Sequence, residues 1–244
     1  ALLSNALGQG REWLDAVESS ELLAAYGIPN VPTRRVADAE AAVLAAADVG
    51  WPVALKLLSP QLVHKSDVGG VALNLRSAEA LREAAAAMLQ RVRQQVPQAE
   101  IQGFIVQRMA ERPGAHELIV GIAADAAFGP VVLFGEGGVA VELRHDRALE
   151  LPPLDATLAG ELIARTQVGT LLAGHRGRPA ADRQAVIDVL LRVARMAENL
   201  PALAELDINP LLADANGVLA LDARVRVRGL GDSPAPALLR PAKN

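Results

Sequence analysis

The chain has 244 residues, room for one large domain or two small ones at roughly 150 residues each, and its 51% hydrophobic content is ample for a buried core. It has no Cys, which excludes a disulfide scaffold, a thiol nucleophile and Cys-ligated zinc or iron–sulfur centres. The charge, 24 Lys plus Arg against 28 Asp plus Glu for a net of −4, and the few aromatics (two Trp, one Tyr, three Phe) argue against a nucleic-acid partner. No apolar run approaches the roughly 20 residues that span a bilayer, and no basic-then-apolar leader opens the chain, so the expectation is a cytoplasmic protein with no membrane partner. Because its first residue is Ala, it reads as a processed chain or a domain cut from a longer polypeptide.

Residues 1–10 carry little pattern. A short helix is expected over 18–26, capped by Ser19 or Ser20 and stopped by Gly27 and Pro29, so that 1–30 forms a helical arm. From Pro32 the pattern becomes strand, helix, strand. Thr33 to Val36 is extended, Asp38 caps an Ala-rich helix that ends at Gly50, and Val53 to Leu58 is extended again. A polar loop over 59–70 leads to a strand at 71–75, then Ser77 caps a long helix to about Gln95 before Pro97. After Gly103 successive strands follow at 104–109, 117–123, 131–134 and 139–143, which suggests an antiparallel or mixed sheet. Helices are expected at 155–165 and 182–199, the second with Val186, Leu190, Val193 and Ala197 on an apolar core face, and the stretch between them, 167–179, reads as an exposed loop. A hairpin closes the pattern, with strands at 203–208 and 218–222 around an Asn216-Gly217 turn. The domain division expected from this texture is 31–103 and 104–228, with 229–244 as tail or linker.

Four segments carry candidate chemistry, each with a bland alternative. Lys56 sits inside an apolar strand, where an ammonium is costly to bury without an anion, unless the strand is an edge and the Lys faces solvent. His64-Lys65-Ser66-Asp67-Val68-Gly69-Gly70 could cover a phosphate with backbone N–H groups and the Lys65 charge, or merely turn the chain; it is not a Walker A sequence. Phe128 to Glu142 places a Gly-rich turn directly after a buried strand, as close ligand approach or a tight β-turn would require. Glu205, Asp207 and Asn209 alternate onto one strand face, with Asp222 on the partner strand. That row of oxygens suits Mg²⁺, and equally an exposed polar face.

Taken in order, these segments resemble the ATP-grasp domain of the nucleoside-diphosphate-forming acyl-CoA synthetases, the group with the β subunit of succinyl-CoA synthetase and the ADP-forming acetyl-CoA synthetases. The match is carried by Tyr26-Gly27-Ile28-Pro29, Pro52-Val53-Ala54-Leu55-Lys56, the His64 to Val71 loop, the Phe128 to Glu142 stretch, and Asp207-Ile208-Asn209-Pro210 with Asp222. The resemblance implies an α+β fold of two subdomains gripping ATP or ADP, the first as lid and the second as metal-binding sheet. It further implies Lys56 on the phosphates, Lys65, Gly69 and Gly70 covering them, and Gln107, Arg108 and Met109 at the adenine hinge. Glu117 would meet the ribose, Asn209 and Asp222 would hold Mg²⁺, and Asp207 would be a ligand or the support of one. His64 would relay the phosphoryl group. No CoA-binding half with a glycine fingerprint is present, so the implied partner is an α-type subunit or fused domain that binds CoA and carries the phosphohistidine. A regulatory module fused to a GNAT acetyltransferase is the second reading, and an ATP-grasp carboxylate–amine ligase the third.

Overall fold

The structure, a computed structural model, describes residues 1–59, 68–125, 127–138, 146–174 and 179–229. It divides into two compact units, Val31–Glu111, and Ala1–Asn30 together with the chain from Arg112 onward.

In Val31–Glu111, local signals account for nearly every element. Strand β1 (Thr33–Val36) leads to Asp38, whose carboxylate accepts the Ala41 N–H and starts helix α3 (Ala39–Val49); Gly50, at φ +90°, closes it. Strands β2 (Val53–Leu58) and β3 (Val71–Leu75) pair antiparallel, and Ser77 caps helix α4 (Ala78–Gln95). Strand β4 (Gly103–Arg108) then inserts between β1 and β2, antiparallel to both, for the order β1-β4-β2-β3. Leu55 and Leu57 face the helices and pack with Ala42 and Ala46 of α3 and Leu81, Ala85, Met88 and Val92 of α4, one apolar stripe at helical spacing. The anticipated division at 103/104 therefore differs from the structure. β4 is bonded into this sheet, and the change of sheet comes after Glu111.

The other unit is assembled from both ends of the chain. Helices α1 (Leu2–Gly8) and α2 (Ala16–Ala25) join strands β5 (His116–Asp125), β6 (Gly129–Glu136) and β7 (Arg147–Glu150). Helices α5 (Ala156–Ala164), α6 (Gln167–Leu171) and α7 (Arg183–Asn199) follow, then strands β8 (Leu203–Asp214), β9 (Gly217–Ala220) and β10 (Ala223–Val227). The six-stranded sheet runs β10-β8-β5-β6-β7, with β9 on β8, and every pairing is antiparallel. Leu118, Val120, Val132, Phe134, Leu206 and Ile208 line its core face beneath Val186, Leu190 and Val193 of α7. Among the described residues no helix is long and apolar enough to cross a membrane.

Several expectations are corrected here. Residues 2–8 are helical although no side chain caps them, because Leu3 and Ala6 bury in the core. The next helix starts at Ala16, not Glu18. Asp15 accepts from Val17 and Glu18 N–H while the Glu18 carboxylate accepts the Asp15 N–H, a complete capping box. The arm is also no mere preface: Leu14 N–H donates to Val225 O, Val227 N–H to Glu12 O, and Ala220 N–H to Pro29 O. The stretch expected as loop from 167 holds α6, whose N–H groups at Gln167 and Val168 bond the Asp146 carboxylate at 2.8 Å each. Strands β7 and β10 were unforeseen. β8 continues through Pro210 instead of ending before it, at a ladder irregularity between Leu118 and Val120 where the missing N–H is tolerated. The strand expected at 139–143 lies outside the described residues.

Candidate functional site

In Val31–Glu111 the relevant surface is the sheet face turned away from α3 and α4. Lys56 emerges on it from an interior strand, opposite Ile105 of β4 and Val71 of β3, so the edge-strand alternative is discarded. Gly70 immediately precedes β3, and its carbonyl accepts the Leu57 N–H at 2.8 Å, which fixes the end of the glycine loop beside Lys56. Gly69 adopts φ +66° with the Arg91 guanidinium 3.1 Å from where a Cβ would stand, so only glycine fits without displacement. His64 and Lys65 lie outside the described residues.

Gln107 lies on the same face, opposite Ala54, and its amide donates to the Thr33 hydroxyl at 3.3 Å. The next two backbone donors are committed: Arg108 N–H to Pro32 O and Met109 N–H to Pro52 O. The Met109 sulfur accepts the Asn74 N–H at 2.9 Å. These residues form a braced strand end; their N–H groups are already engaged within the protein.

In the other unit, Glu117 and Asn209 meet at the Gly-rich turn, and Asp222 adjoins Asn209. The Asn209 N–H donates to Asp222 O at 3.2 Å, which sets the two residues opposite one another where β8 meets β10. The Asn209 side-chain oxygen accepts the Gly138 N–H at 2.9 Å, and Gly137 N–H donates to Glu117 O at 2.8 Å. A Cβ on Gly137 would collide with the Leu118 backbone carbonyl, so the turn closes over β5 only because Gly137 has no side chain. The peptide joining Asn209 to Pro210 is cis.

Asp207 sits two residues before Asn209 on the same open face, between Gly121 of β5 and Arg224 of β10. It is half-buried, and one carboxylate oxygen is fully buried with no hydrogen-bond partner. Burial pushes its carboxyl above the usual range and Asp222 adds to the rise, while Arg224 opposes it. Glu205, one step further along, is satisfied by Arg226 at 2.9 Å. Among the described residues no three His, Cys, Asp or Glu side chains converge on one point. The oxygen set is therefore two carboxylates and an amide, donors suited to a hard divalent cation that also draws on ligand oxygens.

The ATP-grasp domain family matches residues 5–227. The chain belongs to the ATP-grasp family. Its relatives place it with the β-subunit type of the ADP-forming acyl-CoA ligases. The β subunit of acetate–CoA ligase [ADP-forming] I from Pyrococcus furiosus is 40% identical over 209 residues, 85% of this chain and 89% of that one. The acetyl-coenzyme A synthetase 1 of Ca. Korarchaeum cryptofilum, solved with coenzyme A and Ca-AMPCP, superposes with a TM-score of 0.86 at 42% identity over 93% of this chain and 98% of that one. Acetate–CoA ligase [ADP-forming] I of Archaeoglobus fulgidus is 38% identical over 85% of this chain, which spans 30% of that longer protein. None of these relatives is described as an acetyltransferase, so the GNAT-fusion reading finds no support in them.

The sequence reading missed Arg224 and Gly121, the two neighbours of Asp207. The spacing of Asp222 and Arg224 on alternate positions was a signal for the first, had β10 been recognised as a strand. Nothing local marks Gly121, because its role is defined by the Leu206 backbone packed against it.

Proposed function

We propose that this chain is the nucleotide-handling half of an ADP-forming acyl-CoA synthetase, converting a carboxylic acid, CoA and ATP to acyl-CoA, ADP and phosphate, and the reverse. In the forward direction the γ-phosphoryl group passes from ATP to a histidine nitrogen as ADP leaves. The phosphohistidine then phosphorylates the acid, and the CoA sulfur displaces phosphate from the acyl phosphate. The observation that supports this best is the neighbouring set of Asn209, which holds the Gly138 N–H, Asp222 and the unpartnered Asp207 oxygen in a chain of this family.

Phosphoryl transfer of this kind depends mainly on positioning and charge neutralisation. The Lys56 ammonium holds phosphate oxygens from the sheet face, and Lys65 with Gly69 and Gly70 covers them. Gln107, Arg108 and Met109 form the hinge against the base; because the two N–H groups are engaged, the base meets their carbonyl and side-chain atoms. Glu117 meets the ribose hydroxyls. Asn209 and Asp222 hold Mg²⁺, with Asp207 as a third oxygen or the support of that pair. The donors fit: the buried Asp207 oxygen lacks a partner, and a carbonyl oxygen such as that of Asn209 has a second lone pair beside its bond to Gly138. Mg²⁺, when bound, supplies charge neutralisation across the phosphate oxygens. His64 relays the phosphoryl group toward the site where acid and CoA bind, on an α-type subunit or fused domain.

Calorimetric titration of ATP and ADP, with and without Mg²⁺, tests the reading. Metal-dependent binding that Asn209→Ala weakens tenfold or more is expected; binding indifferent to both metal and substitution would remove the metal assignment. Full activity of His64→Ala with the CoA-binding partner would remove the relay.

A further inference from the structure

The open face of the six-stranded sheet carries two arginines in equivalent register and unequal states. Val225 and Val227 of β10 are buried in the core, so Arg224 and Arg226 alternate onto the opposite face, as Glu205 and Asp207 do around the buried Leu206 and Ile208 of β8. Register sets Arg226 opposite Glu205 and Arg224 opposite Asp207. The first pair is closed, Arg226 donating to the Glu205 carboxylate at 2.9 Å. The second is open. Arg224 is exposed and makes no hydrogen bond or ion pair among the described residues, while one Asp207 oxygen is buried without a partner. Closing Arg224 onto Asp207, as Arg226 closes onto Glu205, would use donors that the open pair keeps available to an incoming anion.

The place of Arg224 selects the anion. Along β8, Leu212 lies opposite Glu117, Asn209 lies beside Asp222, and Asp207 lies opposite Arg224, about 7 Å beyond Asn209. With Glu117 at the ribose and Asn209 and Asp222 at the metal, Arg224 is the next group in line, on the side of the metal away from the ribose. That is where the phosphate chain of a nucleoside triphosphate ends and where a diphosphate does not reach. We propose that Arg224 binds the terminal phosphoryl group of ATP through its guanidinium N–H groups and so lets the site tell ATP from ADP; this rests on the nucleotide-handling role proposed above. A planar fork of charged donors matches phosphoryl oxygens and neutralises the group that is transferred.

Calorimetric titration of Mg-ATP and Mg-ADP into the full chain tests it, with Arg224→Met, Arg224→Lys and Arg226→Met. Arg224→Met should weaken ATP binding by about tenfold or more and ADP binding by less than about threefold. Arg224→Lys should recover part of the loss through its charge, and Arg226→Met should leave both nucleotides as in the parent. Because Arg224 makes no bond within the fold, Arg224→Met should also keep the parent urea midpoint. If the parent binds Mg-ATP and Arg224→Met leaves the ratio of ATP to ADP affinity unchanged, or Arg226→Met lowers it as much, the Arg224 assignment is overturned and the nucleotide site stands. A parent that binds neither nucleotide would overturn the nucleotide-handling role itself, and the Arg224 assignment with it.

Discussion

The two units of this chain are built on different kinds of information. In Val31–Glu111, caps and stops sit beside the elements they control: Asp38 and Ser77 start the helices, and Gly50 ends one. One continuous stretch of chain carries both sheet and core, with β4 returning to pair with β1 and β2. The other unit depends on contacts between distant segments. Residues 12–14 bond β10, Asp146 caps α6, and β8 threads between β5 and β10. Close backbone approaches occur in both units, Gly103 against Val36 O and Gly121 against Leu206 O, but the second unit adds hydrogen bonds that join its two chain ends.

The largest expected effect breaks that contrast directly. Gly121→Val places a side chain against the Leu206 carbonyl and the Asp207 backbone, where β5 and β8 close. Urea denaturation should show a loss of more than about 3 kcal/mol, with hydrogen-exchange protection lost in β5 and β8 but kept in α4. A midpoint close to the parent would show that the two strands can separate cheaply. Next comes Leu81→Ala, which empties a fully buried position under the four-stranded sheet. A loss of about 2–4 kcal/mol is expected, with the exchange change confined to Val31–Glu111; spreading into β5 and β8 would contradict the division into units.

The smallest effect is a pH dependence. The Asp207 carboxyl lies above its ordinary value of 3.8 because burial disfavours its charge, so the folded chain holds that proton more tightly than the unfolded one. Below the ordinary value both states are protonated and no penalty exists. As pH rises through the folded value the penalty grows, and it is complete above it. Asp207→Asn should therefore gain stability relative to the metal-free parent as pH rises, with the gap closing in acid; urea midpoints across that range measure it. A gap that widens on acidification would mean the carboxylate is stabilised in the fold.

Much of the candidate site was legible because its residues violate their local setting. Lys56 interrupts an apolar strand, and Asp207 and Asn209 occupy one face of another. Their types announce a charge or oxygen that needs a partner. Gly121 was not legible, since a Gly in a strand is unexceptional until the segment opposite it is known. The engaged N–H groups of Arg108 and Met109 were equally hidden, because their acceptors, Pro32 and Pro52, are far away in sequence.

The sequence by itself determined the elements of Val31–Glu111, the apolar face of α7 and the family, since capping, helical periodicity and ordered motifs are properties of neighbouring residues. Tertiary structure alone decided that the N-terminal arm belongs to the second sheet, that β8 runs on through Pro210, and that the Gly137–Gly138 turn joins Glu117 to Asn209. Those outcomes rest on backbone hydrogen bonds and close approaches between segments up to about two hundred residues apart, an energy that exists only once the strands have paired.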